Sequence, residues 1–220
     1  MARTSTRGWT YAGLAISLLG IPAIVTAQRM LSPDPAASGS IVVRELAILA
    51  ITALVLWIVV SRERLPLSSI GLRFDRVGRS VGWGLGLAVV AFAVLALCLV
   101  GFSALGIRYG EGAGISRALP VTLLAVTRAG ISEEALYRGF ALERLQSMTG
   151  SKWIAAGVTL VLFAAFHFRQ GLAGVFLAFV LGAVFTAFYL WKRDLLATVT
   201  GHFLVDFVPN VLLPLLGAGD

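Results

Sequence analysis

Seven stretches of this 220-residue chain hold almost only apolar side chains, each for about the length that crosses a bilayer: roughly 9–27, 44–60, 81–105, 119–142, 153–168, 171–191 and 195–216. A helical crossing needs about 20 such residues. Lipid leaves backbone polar groups no solvent partner, so helices that satisfy their own hydrogen bonds are the natural outcome. Composition agrees: 58% of residues are hydrophobic, 13% are charged and mean hydropathy is +0.90, against about 25% charged in an ordinary soluble domain. The expectation is an all-α polytopic membrane bundle of about seven helices around a polar cavity, with residues 1–220 forming one membrane domain. The 153–168 run is short for a crossing, so it is expected to tilt, to sink partly, or to continue into its neighbour.

Basic residues set the orientation of such a bundle. With residue 1 on the cytoplasmic side and strict alternation, that side holds Arg3, Arg7, Arg62, Arg64, Arg73, Arg76, Arg79, Arg144, Lys152, Lys192 and Arg193, eleven in all. The other side holds five, Arg29, Arg44, Arg108, Arg117 and Arg169. The imbalance favours a cytoplasmic N-terminus and, with seven crossings, an extracytoplasmic Asp220, in the cell membrane. The net charge of +7 is accounted for in this way, and no aromatic-plus-basic pattern points to nucleic acid. The first run has the flanks of a secretory leader, Arg3 and Arg7 before it and small residues after, but is long enough to span. The lone Cys98 allows no intrachain disulfide. The basic, semi-apolar loop 61–80 is expected along the cytoplasmic interface, its arginines near anionic headgroups. Trp153 and Trp191, near run ends, fit interface anchors. Gly82 and Gly86 have the spacing of a close helix–helix contact.

Against this background the segment "GISEEALYRGF", 130–140, is anomalous. Ionisable groups inside a membrane are costly and are functional candidates by default. Glu134 and Arg138 are four apart, acid first, the favourable order for a helical ion pair. Nothing local pairs with Glu133, which is expected to face across the bundle with Tyr137 on its side. Arg128, deeper in the same run, either snorkels or lines the cavity, and no role follows for it. Both histidines of the chain also lie in apolar runs. His167 has Phe163 one turn before it, and His202 has Asp206 one turn after it. If the three runs converge, Glu133, His167, His202 and Asp206 form a set able to take a proton from water and return it.

The strings "EEALYR", "FAAFH" and "HFLVD" resemble, in order, the three motifs of the CPBP family, the type II CAAX prenyl endopeptidases with their bacteriocin-processing and abortive-infection relatives. The resemblance covers about residues 119–216, the expected catalytic core, and "SSIGLRFDR" is softly similar to the stretch before it. It implies an intramembrane endopeptidase (a hydrolase acting on peptide bonds) whose substrate is a membrane-associated protein or peptide, prenylated CAAX proteins among them. By motif position it implies Glu133 as general base, His167 sharing or orienting the water, and His202 with Asp206 on the oxyanion side. Where well-studied members have Asn, Asp206 departs, and it would orient His202, bind a metal or carry a proton. Glu134, Arg138, Phe163 and Tyr137 would support the site. Relatives are often labelled metalloproteases, and Glu133, His167, His202 and Asp206 include a plausible zinc set. The HExxH arrangement is absent, and the favoured reading needs no cofactor, with zinc or another divalent metal as the alternative. Two other functions compete. A proton-coupled transporter or channel would also use Glu and His chains, and a non-catalytic membrane partner or immunity protein would merely keep the fold.

Overall fold

A computed structural model describes residues 2–107, 109 and 118–217, with the side chains of 2–6 outside that description. Arg108, Arg117 and Asp220, which enter the orientation argument, lie outside the described residues, as does the Arg3 side chain. The described chain is all helical, with no strand. Its main helices are α1 (Ala2–Leu31), α2 (Ser38–Trp57), α3 (Val77–Ala104), α4 (Leu119–Glu133), α5 (Glu143–Thr149), α6 (Lys152–Ala165), α7 (Gly171–Lys192) and α8 (Leu195–Phe207).

Five stretches among the described residues are long and apolar enough to cross a membrane: Arg7–Leu31, Ser38–Arg62, Val77–Ala104, Lys152–Lys192 and Leu195–Leu215. The expected seven do not map one to one onto these five. Lys152–Lys192 is a single apolar stretch that contains both α6 and α7, and the two pack against each other. The short 153–168 run is thus continuous with its neighbour, through a 3-10 turn at Phe166–Gln170 and Gly171 at φ +74°. The 119–149 rod falls outside the five, because Arg128, Glu133, Glu134, Arg138, Glu143 and Arg144 interrupt its apolar character.

That rod is nevertheless the centre of the molecule. Between α4 and α5 the chain runs as a π-helix, Glu134–Leu142, and each of its nine residues is buried. Leu136, Phe140 and Leu142 anchor the main core with Ile58, Val59, Ile70, Tyr189 and Leu195. A regular α-helix was expected through 142. The π stretch follows the packing: α1, α6, α8 and the 3-10 turn Leu67–Ile70 all contact it, and a wider turn spreads its side chains among several neighbours. Such turns concentrate at functional sites.

Capping fixes several helix starts. The Ser151 side chain accepts from the Ile154 N–H and opens α6, and Asp194 accepts from the Ala197 N–H and opens α8. Asp194 also accepts from Ser80 Oγ at 2.7 Å. This joins the start of α3 to the α7–α8 junction. The loop 61–80 does not merely lie alongside the bundle. Ile70 is fully buried, and the Gly71 carbonyl accepts from the Leu195 N–H at 2.9 Å. The glycine expectation is corrected: Gly82 and Gly86 face open space, whereas a Cβ on Gly84 would lie 2.6 Å from Thr200 Cβ and 2.8 Å from the Ala197 carbonyl oxygen. The close α3–α8 approach runs through that middle glycine.

Candidate active site

α4 starts with Pro120 in its first turn, where a missing N–H costs nothing, and carries Arg128 and Glu133 toward the middle of the bundle. Arg128 Nη1 donates to Glu133 Oε1 at 2.9 Å. The expectation that Glu133 lacks a local partner is therefore corrected. The two lie five apart on one helix, and the long arginine stem closes the gap. The same guanidinium donates through Nε to Glu45 of α2, which is fully buried and also accepts from Arg44. Arg44, Glu45, Arg128 and Glu133 thus form one alternating chain of charge. A buried carboxylate is tolerated only when paired in this way.

Glu134 turns the other way. Arg138 Nη1 donates to its Oε1 at 2.9 Å, the i, i+4 pair read from the sequence. The same oxygen lies 2.8 Å from His202 Nδ1. Glu134 therefore holds His202 as well as Arg138, a role that sequence reasoning missed. Its Oε2 is buried and makes no hydrogen bond. Arg138 reaches the Gly182 carbonyl on α7 at 3.3 Å and lies 4.2 Å from the centroid of the Phe163 ring. Phe163 in turn meets Tyr137 edge-on at 5.3 Å and His167 at 5.0 Å. Tyr137 sends its hydroxyl to the Leu18 carbonyl of α1 at 3.4 Å.

The two imidazoles are held alike. His167 Nδ1 is 2.9 Å from the Phe163 carbonyl oxygen. A carbonyl only accepts, so Nδ1 carries the hydrogen. His202 Nδ1 donates to the Glu134 carboxylate by the same reasoning. Each ring keeps Nε2 for other partners. For His202, Nε2 lies 3.6 Å from Asp206 Oδ2, one turn on, within ion-pair range but beyond a direct hydrogen bond.

Glu133, His167, His202 and Asp206 all line one cavity of about 600 Å³, together with Arg128, Arg44 and Asn210. Glu134, Arg138 and Phe163 border a smaller pocket of about 140 Å³, which shares His167, His202 and Asp206. Among the described residues no group of three or more His, Cys, Asp or Glu side chains is gathered as a metal site. Arg128 holds one oxygen of Glu133, and both imidazoles are anchored through Nδ1 with Nε2 left over, which is also how a metal-ligating histidine is held.

Residues 115–208 match the family model described as "Rce1-like: Type II CAAX prenyl endopeptidase Rce1-like". The motif-bearing segment is Rce1-like. The resemblance read from the three motifs is borne out over the stretch that carries them, which is less than half of the 220-residue chain. No curated protein and no solved structure matches the chain. An Rce1-like segment among apolar helices fits a multi-pass membrane protein of a protease family.

What the sequence left out is the α2 contribution. Glu45 is the lone acid of a largely apolar helix. That was the available signal: an acid in one apolar run and a spare arginine, Arg128, in another, each needing a counter-charge.

Proposed function

We propose that this protein is an integral-membrane endopeptidase that hydrolyses a peptide bond in a membrane-associated protein or peptide, prenylated CAAX-type proteins being one such class. The single observation that carries the reading is the shared cavity: an arginine-held carboxylate and two imidazoles, each anchored through Nδ1, border the same space.

The residues divide the work as follows. Arg128 occupies one oxygen of Glu133, and the carboxylate keeps the other for a water molecule. His167 accepts from the same water through Nε2 and aims it. Glu133 takes the proton as the water oxygen bonds to the scissile carbonyl carbon. The carbonyl oxygen becomes an oxyanion on the His202 side, where a protonated Nε2 stabilises it and Asp206 steadies the ring. Collapse of the tetrahedral intermediate breaks the C–N bond, and Glu133 returns its proton to the leaving amine. No step calls for a metal. Residues 119–216 form the catalytic core, and the rest of the single membrane domain supports it.

The test is cleavage of membrane-anchored reporter peptides, with and without a prenyl group, by the purified full chain. Wild-type protein cleaves, while Glu133→Ala and His167→Ala each lose about 10²–10⁴-fold, the usual contribution of a positioned acid–base group. Full turnover in both variants rejects the assignment. Metal content by mass spectrometry, with a chelator titration, checks the metal-free route: one zinc per chain whose removal abolishes cleavage overturns it.

A further inference from the structure

The bundle has two unlike ends. One end carries all five tryptophans. Trp9 and Trp57 meet edge-on at 5.8 Å, and the Arg62 guanidinium lies within 4.7 Å of both ring centroids. Trp83 and Trp191 meet at 5.4 Å beneath Lys192, and Lys152 lies over Trp153. Among the described side chains, ten basic residues outside the buried 119–142 rod belong to this end (Arg7, Arg62, Arg64, Arg73, Arg76, Arg79, Arg144, Lys152, Lys192 and Arg193), against Arg29, Arg44 and Arg169 at the other. It is also clamped: Arg144 pairs with Glu63 at 2.7 Å, and Glu143 is held by Tyr189 and Arg193.

The catalytic cavity opens at the opposite end. Its rim is made of Gln28, Pro35 and Ala36 around the α1–α2 connection, Tyr109 after α3, Gln170 between α6 and α7, and Asn210 after α8. Below the cavity stands the buried 134–142 stretch. A separate cleft at the tryptophan end, lined by Arg7, Tyr11, Glu63, Arg144 and Ser147 among others, shares no residue with it. Glu133 is the last residue of the 15-residue α4, about 21 Å along the axis from its first at about 1.5 Å per residue.

Basic residues are retained on the cytoplasmic side of a membrane protein, and the cavity faces away from them. We infer that the catalytic cavity opens on the extracytoplasmic face and takes an extended peptide segment presented there, not the tail of a cytosolic protein, so that prenylated CAAX tails drop out of the substrate class proposed above. This rests on the peptidase reading for its substrate and on the cavity and charge asymmetry for its side. A lipidated cytosolic tail sits at the clamped, tryptophan-bearing surface. A segment entering from the other side reaches Glu133 by spanning roughly six extended residues, at about 3.4 Å each. A secreted peptide or an extracytoplasmic membrane-near stretch meets both conditions.

Two measurements test this in the full-length chain carrying Cys98→Ser. In intact cells, a membrane-impermeant maleimide labels an added Ala36→Cys variant, and labels Ser147→Cys only after permeabilisation. The reverse pattern, or labelling of both in intact cells, overturns the inference whatever the chemistry. In sealed vesicles whose orientation these labels report, a fluorogenic peptide is supplied outside or enclosed. Cleavage is expected only where peptide and the Ala36 end share a compartment. Cleavage confined to the Ser147 side overturns the inference and leaves the peptidase standing. No cleavage from either side, with the labelling as expected, rejects the peptidase reading and with it the substrate class.

Discussion

Glu133 owes its position to a residue on another helix. Arg128 lies between Glu133 and the fully buried Glu45, so removing the guanidinium strands Glu133 and leaves Glu45 with Arg44 alone. Breaking a buried pair from one side costs about 3–5 kcal/mol. Arg128→Leu is therefore expected to lower the unfolding midpoint in detergent sharply. Glu45→Gln in that background should recover part of the loss, because a buried charge that has lost one of its two arginines is then gone. A double-mutant cycle measures the coupling, and strictly additive losses would show that the network is not a unit. The Glu134–Arg138 pair was legible in the sequence because four residues separate its members on one helix. The Glu133–Arg128 pair was not, since five residues place the two on diverging faces and only a long, flexible side chain joins them. Glu134 holding His202 was hidden for another reason: sequence spacing says nothing about which residues of different helices meet.

Helices were legible where apolar length alone decides, as in the 81–105 run, which α3 covers up to Ala104, and less so where charge or a tight turn intervenes. The 119–142 run was visible as helix, but its change to π geometry at Glu134 depends on neighbours packed around it, which periodicity does not record. Gly84 makes the same point for packing. The 82/86 spacing suggested a contact, and the contact uses the glycine between them. A methyl group at Gly84 would sit 2.6 Å from Thr200 Cβ and 2.8 Å from a backbone oxygen that cannot swing away. Overpacking of this kind costs about 1–3 kcal/mol. Gly84→Ala should lower thermal stability accordingly, whereas Gly82→Ala, with nothing within 4 Å, should lower nothing. Equal behaviour of the two variants would mean that α3 and α8 do not approach as described.

The family match and the working molecule have different extents. Residues 115–208 carry all three motifs, yet α1 and α2 supply the Leu18 carbonyl for Tyr137, Glu45 for Arg128 and much of the cavity rim. The core around Leu136 and Phe140 is closed by Leu14, Val55, Ile58 and Val59 from the same half. A chain cut at the α3–α4 connection therefore leaves the motif half with an open core and with Arg128 deprived of Glu45. Expressed alone, residues 115–220 should aggregate or fail to cleave the reporter, although they contain every candidate catalytic residue. Residues 1–114 supplied as a second chain should restore a folded complex, because the contacts to be remade are packing and ion pairs between preformed helices, not a covalent path. Co-purification from detergent followed by the cleavage assay reads both outcomes. A fully active 115–220 fragment would show that the first half is dispensable to the site, and would remove Glu45 from any account of how Glu133 is held.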